Sequence, residues 1–327
     1  MAMRYTAVEM FAGAGGAALG LKEAGFHSLA SIEMWDVAVK TLAVAGFPVV
    51  AGRVEDRRVV AEVVRRVRIT QRPLDFLWAS PPCQPYSSSG LRLGKVDDRD
   101  GWGATLMYVM KLRPRAVVIE NVADAPVDDW AKAIAGEGHF AHASTFDLKS
   151  TQFGVAQDRP RSFVYAGPAP LSEFLAEVRK HEQPKVGLDD VLPYLKGFYV
   201  RSEQTTARAR SAAEPCPTFN TKGNVYIHKI DMGVRATGYK TNREISRRMT
   251  PEEQKVVQGF PADYPIQGKV EDRFRLVGNS VSPPLARALG LAVSAVLDKY
   301  GRAATRRAPA TRAATRVTRG TEGNRNV

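Results

Sequence analysis

The chain has 327 residues, of which 44% are hydrophobic and 25% charged, and a formal net charge of +13. That length holds one large domain or a large and a small one, and the balance is that of a soluble globular protein. No apolar run approaches the roughly 18 residues of a membrane helix, and MAMRYTAVEMF lacks a signal-peptide layout.

In chain order, YTAVEMF, SLASIE, LDFLWAS, AVVIENV and SFVYAG are expected as buried strands. Between them GAALGLKEAG, WDVAVKTLAVAG, RRVVAEVVRRVR and TLMYVMKL carry helical periodicity. Strands alternating with helices predict an α/β fold over residues 1–169: a doubly wound, Rossmann-like, mainly parallel sheet covered on both faces. Over residues 170–242 prolines, glycines and isolated basic residues separate short β-like pieces such as GFYV and NVYIHK, which predicts a smaller, mostly β unit. Residues 243–300 return to helical periodicity. There Thr250 before Pro251 is an N-cap followed by proline at the first helical position, and SPPLARALGLAVSAVLDKY is expected to pack back on the large sheet. Residues 301–327, with seven arginines against one glutamate, hold +6 of the net charge in a low-complexity stretch expected to be a disordered basic tail. A basic body with a basic tail favours a polyanionic partner, most simply nucleic acid.

Several segments have the composition of a site. FAGAGG sets Gly13 and Gly15 between a strand and a helix, where backbone approaches a ligand closely and a helix N-terminus faces it; tight packing alone is the other use of such a turn. Glu33 ends the next strand at the spacing of an acid that takes ribose hydroxyls, and Trp35 beside it suits either an adenine or the core. SPPCQPYSSSG presents Cys83 among prolines at a strand end, a poor place for an inert buried thiol and a good one for a nucleophile. Cys216 is far away in sequence, so neither a disulfide framework nor a metal site is expected, and a reducing cytoplasm is. Glu120 closes the apolar run AVVIENV, where an acid serves as a proton donor or as a helix cap. Arg159 and Arg161, two apart before SFVYAG, share a face if extended and suit an anion or a carbonyl oxygen.

Together FAGAGG, SPPCQPYSSSG, ENV, QDRPR, RRMTPEEQKVVQGFP and VGNSVSPP resemble, in order, the motifs of the bacterial DNA (cytosine-5) methyltransferase family. The resemblance spans residues 6–297 and leaves out the tail. It implies a methyltransferase sheet with a target recognition domain at 170–242, between QDRPR and RRMTP. It also implies S-adenosyl-L-methionine as methyl donor, with S-adenosyl-L-homocysteine as product, and double-stranded DNA as substrate, with the cytosine flipped out of the duplex. By this likeness Cys83 attacks ring carbon 6, Glu120 holds ring nitrogen 3, Arg161 meets the cytosine carbonyl oxygen and Arg159 supports it. Phe11, Gly13, Gly15, Glu33, Pro82 and Asn279 line the cofactor pocket, to which the position of Trp35 beside Glu33 adds a further candidate. Gln84, Ser87 and Thr218 face DNA, and a loop over residues 84–103 with Gly90, Gly94 and Gly101 closes over the base.

Two positions depart from the family pattern: Arg53 stands where an aspartate contacts the adenine amine, with Glu55 or Asp56 as substitutes, and Leu276 where glutamine is usual. The expected protein is a cytoplasmic, nucleoid-associated monomer without metal or membrane, with a cognate restriction endonuclease as a candidate partner. The rival readings are a transfer RNA cytosine-5 methyltransferase and a catalytically silent DNA-binding regulator.

Overall fold

The computed structural model describes residues 5–82, 101–202, 209–222, 225–229 and 246–304. Eight strands come from the first half of the chain: β1 (Tyr5–Met10), β2 (Phe26–Glu33), β3 (Val49–Ala51), β4 (Phe76–Ala79), β5 (Ala116–Asn121), β6 (His142–Lys149), β7 (Gln157–Asp158) and β8 (Pro160–Gly167). Seven of them form one sheet in the order β3-β2-β1-β4-β5-β8-β6. Pairings from β3 to β5 are parallel, and β8 runs against both its neighbours.

Period-2 burial explains why these runs are strands. On β4, Phe76 and Trp78 enter a core on one face while Leu77 and Ala79 enter a second core on the other. On β5, Ala116 and Val118 divide from Val117 and Ile119 in the same way. A strand apolar on both sides has to be covered twice. The first face takes α1 (Gly16–Glu23), α6 (Leu171–Arg179) and the long α10 (Pro283–Ala304). The second takes α3 (Arg57–Ile69), α4 (Trp102–Leu112) and α5 (Val127–Gly136). Helix α2 (Asp36–Val44) lies beside β2 and β3. The expected doubly wound sheet is the observed one.

Contrary to the expectation of no long apolar run, Val270–Tyr300 contains an 18-residue window of mean hydropathy 1.4, enough by length and composition to cross a membrane. Of that window 72% is buried in the protein, where α10 packs on α1, so its apolar residues serve the core. Helix α6 opens the segment 170–242 yet inserts Phe174 and Val178 into the main core, with Phe174 stacked on Tyr165 at 4.1 Å between ring centroids. Helix α10 runs on through Ala304, and residues 305–327 lie outside the described chain.

A second sheet, antiparallel and four-stranded, has the order β10-β9-β12-β13. Its strands are β9 (Phe198–Ser202), β10 (Arg210–Ser211), β12 (Val225–Lys229) and β13 (Ser246–Arg248), so it extends past residue 242. Val200, Val225 and Ile227 are buried with Leu188 of α7 (Leu188–Val191), Phe219, Met249 and Val277 of α9 (Val270–Asn279). Tyr199, Arg201, Tyr226 and His228 alternate with them on the other face, where Arg201 is exposed and the three rings are half-buried. Strand β11 (Cys216–Pro217) leaves this unit and pairs in parallel with β7. Helix α8 (Pro251–Val257) starts as its sequence dictates: Thr250 Oγ1 accepts from Glu253 N at 3.2 Å, and Glu253 Oε2 accepts from Thr250 N at 2.7 Å.

Candidate active site

The strand order reverses between β1 and β4, and in open α/β sheets ligands bind beyond the carboxyl ends of strands at such a point. Two segments leave the sheet there. After β1 comes Phe11–Gly15; after β4 come Ser80, Pro81 and Pro82, joined to the first by Ser80 N donating to Met10 O at 3.3 Å. Phe11 has φ 58°, a left-handed conformation that costs a bulky residue energy and clusters at functional sites. Gly13 has φ 54°, and a Cβ there would meet nothing within 4 Å among the described residues. Gly16 answers a different need: a Cβ there would lie 2.1 Å from the carbonyl oxygen of Val281.

Glu33 ties β2 to this turn. Its Oε2 accepts from Gly13 N at 2.8 Å, and its Oε1 from Met34 N and Trp35 N, each at 2.8 Å. A carboxylate has about four acceptor positions, so one remains for a hydroxyl. Trp35 is half-buried as the N-cap of α2, with the Arg275 guanidinium 4.6 Å from its ring centroid, so one ring face is taken. Met34, which sequence reasoning passed over, stands 59% exposed beside Glu33 and offers apolar surface at the mouth of the site. An apolar residue directly after a strand-ending acid was the available signal.

Both departures from the family pattern have structural explanations. Leu276 is buried with Ala12, Ala14, Phe47, Phe260 and Tyr264, filling the apolar floor beneath the turn. Arg53 pairs with Glu55, and Asp56 caps α3 by accepting from Arg58 N at 2.8 Å, so both candidate substitutes are engaged. Asn279 ends α9 and is exposed.

At the end of β5, Glu120 is buried and its Oε1 lies 2.9 Å from Arg161 Nε on β8. Antiparallel pairing of β5 and β8, with Glu120 opposite Phe163, brings the two motifs together across 41 residues of sequence. Arg161 also donates from NH1 to Pro160 O at 2.6 Å. Arg159 is 3% exposed, just before β8. Asn121, the residue after Glu120, donates its amide to Pro81 O at 3.1 Å, and its Oδ1 accepts from Val122 N at 2.8 Å. It thereby holds the proline segment of β4 against the end of β5. Cys83, Gln84, Ser87, Gly90 and Gly94 lie outside the described residues. A Cβ on Gly101 would lie 2.5 Å from Phe11 Cζ and 3.1 Å from Pro81 Cβ, so this glycine permits close packing of the two segments.

Thr218 Oγ1 donates to Asp158 O at 2.6 Å, and Arg210 NH1 lies 3.3 Å from Asp158 Oδ2. The small unit is therefore fastened beside the arginine motif. Cys216 is fully buried; burial pushes its thiol far above the ordinary range, the Arg210 charge opposing only in part, so it behaves as a small hydrophobe.

The chain thus combines a doubly wound sheet, a glycine turn at its switch point, an acid–arginine pair across the adjoining strand ends and an appended β unit, the architecture of an α/β protein with its candidate site at the strand ends. The model of the C-5 cytosine-specific DNA methylase family matches residues 5–187 and 175–295, and the chain belongs to that family. Its members transfer a methyl group from S-adenosyl-L-methionine to carbon 5 of cytosine in DNA, through a covalent adduct. The type II methyltransferase M.NgoMIV of Neisseria gonorrhoeae is 28% identical over 91% of this chain and 99% of its own length. M.HgiDI of Herpetosiphon aurantiacus is 27% identical over 89% and 95%. Among solved structures, the Entamoeba histolytica methyltransferase EhMeth shares the fold with a TM-score of 0.65 at 15% identity, covering 90% of this chain and 99% of that one. A putative DNA modification methyltransferase from an E. coli prophage does so at 0.58 and 17%, covering 90% and 100%.

Proposed function

We propose that this chain is the modification enzyme of a type II system, methylating carbon 5 of a cytosine flipped out of one DNA sequence, with Cys83 as nucleophile. The observation that carries the reading is the Glu120–Arg161 pair at 2.9 Å, set beside the proline segment that leads directly into Cys83.

In this reading the Cys83 thiolate adds to ring carbon 6, forming a carbon–sulfur bond and pushing electrons toward carbon 5. Glu120 meets ring nitrogen 3, where charge builds up, and Arg161 spans from Glu120 to the carbonyl oxygen, with Arg159 buttressing it from the buried side. S-adenosyl-L-methionine, when bound, supplies the methyl group and leaves as S-adenosyl-L-homocysteine. A water-mediated base removes the carbon-5 proton, and the electron pair returns to expel Cys83. The turn fits that cofactor in three respects: a Cβ on Gly13 would meet nothing within 4 Å among the described residues, Glu33 keeps an acceptor position, and Phe11 is held strained beside both. Pro82, Asn279 and the exposed Met34 complete the wall in this reading; Trp35 backs it, with Arg275 on its far face.

The small sheet serves as the recognition unit. Its outer face pairs Arg201 with Tyr226 and Tyr199 with His228 across strands, a cationic and aromatic patch suited to DNA. Thr218 sits where that unit meets the arginine motif. Gln84 and Ser87 are proposed on the DNA side of the nucleophile. The enzyme acts as a cytoplasmic monomer on nucleoid DNA, beside a cognate endonuclease. Bisulfite sequencing of DNA from cells expressing the chain is expected to show 5-methylcytosine in one recurring sequence. Methyl transfer from labelled cofactor to RNA but not to duplex DNA would sink the reading.

A further inference from the structure

Glu9 has no part in the chemistry described so far, yet it is a carboxyl buried inside the sheet, 4% exposed. It sits on β1 two residues before Phe11, opposite Ser31 on β2 and Trp78 on β4. Its Oε1 accepts from Ala18 N at 3.2 Å. Ala18 is the third residue of α1, and its N–H is one of the donors that a helix start leaves without an intrahelical acceptor. The N-cap of that helix, Gly15, has no side chain with which to supply one. Glu9 performs the capping from a neighbouring strand.

The same turn is held from its other side. Tyr264, in the connection between α8 and α9, donates its hydroxyl to Ala14 O at 2.6 Å and lies where a Cβ on Gly15 would come within 2.7 Å. Between these two side chains the backbone of residues 14–18 has one hydrogen bond fixed on each side. We propose that Glu9 is a positioning residue for methyl transfer: from beneath the sheet end, its carboxyl holds the start of α1, and with Tyr264 it fixes the glycine turn in the shape that receives the cofactor. This inference rests on the turn being the cofactor site.

The carboxyl does this as a neutral group. Glu9 Oε2 is buried without a hydrogen-bond partner among the described residues, an arrangement that an anion tolerates poorly. The titratable groups facing it are Glu33 on β2 and Tyr264; neither is a cation. Burial pushes the carboxyl up to about 8, with the Ala18 N–H and Ser31 opposing and the Glu33 charge adding to the rise. Ionisation above that pH places a second negative charge under the turn, next to Glu33.

Calorimetric titration of the full chain with S-adenosyl-L-homocysteine tests this, at pH 7 and pH 9. Glu9→Ala is expected to weaken binding about tenfold, the scale of a lost helix cap, while affinity for duplex DNA without cofactor stays the same. Glu9→Gln, which keeps the accepting oxygen, should restore most of that loss at pH 7. It should also abolish the fall in affinity that the unmodified chain shows above pH 8. Unchanged binding by Glu9→Ala, or Glu9→Gln as weak as alanine, overturns the inference. Should the alanine variant fail to fold, an alkaline fall in Glu9→Gln equal to that of the unmodified chain does so as well. Glu33→Ala separates the two readings: if it binds as tightly as the unmodified chain, the turn is not the cofactor site.

Discussion

The two sheets solve the same problem of burial differently. In the large sheet β4 and β5 are buried along their whole length on both faces, so chemistry is confined to the strand ends. The small sheet buries one face through Val200, Val225 and Ile227 and carries Tyr199, Arg201, Tyr226 and His228 on the other, where Arg201 is exposed and the three rings are half-buried. Truncating the exposed Arg201 on that face costs little packing, whereas a large-to-small substitution inside β4 leaves a cavity.

Their buried carboxyls also titrate in opposite senses. Glu253 joins α8 to β13 and Tyr194: Arg247 NH2 lies 2.6 Å from its Oε1, and the Tyr194 hydroxyl donates to the same oxygen at 2.6 Å. Burial would raise its carboxyl, but Arg247, Tyr194 and the Thr250 N–H together pull it down to about 2. A depressed carboxyl contributes stability that is present above the unfolded value near 4.5 and is lost as pH falls through about 2. Glu9 is the reverse. Its raised carboxyl stays protonated in the folded chain while the unfolded one ionises, so its contribution is full below about 4.5 and is lost as pH rises toward about 8.

The sharpest way to break the comparison is Cys83→Ala. It should abolish methylation while DNA binding stays measurable by gel shift; surviving activity would remove Cys83 as nucleophile. Next in size, Glu120→Gln is expected to slow single-turnover methyl transfer by on the order of 10²-fold or more, with cofactor affinity little changed. A smaller effect belongs to the small sheet. Arg201→Ala should weaken DNA binding by several-fold and, if it meets phosphate, lower the slope of log K against log salt by about 1, leaving S-adenosyl-L-homocysteine affinity intact. A loss of cofactor affinity instead would mean that the two units are not separable. The mildest is acid exposure. Hydrogen exchange between pH 4.5 and 2 should show β13 and the start of α8 losing protection earlier in the Arg247→Gln variant than in the unmodified chain; identical profiles would remove the Glu253 fastening.

Legibility followed range. The strands β1, β4 and β5 were readable because two-sided burial makes a run mostly apolar. Strand β6 was not, because on this edge strand only Phe146 and Leu148 are buried among eight residues. Helix α6 reads with the looser segment that follows it, since nothing local says that Phe174 stacks on Tyr165. In the site, Glu120, Arg161 and Glu33 were identifiable as acids and bases at strand ends. That Glu120 and Arg161 form a pair, that Arg275 covers Trp35 and that Asn121 holds Pro81 depend on strand pairing and helix docking between distant segments.

By itself, the sequence determined the alternation of strands and helices, the family's collinear motifs and the chemical type of each group offered at a strand end, because these depend on local periodicity and side-chain identity. Tertiary structure alone decided which groups meet. Glu9 and Ala18 are nine residues apart, and Tyr264 reaches Ala14 across 250. A hydrogen bond is set by distance and direction in space, and the chain records neither until the sheet has closed around it.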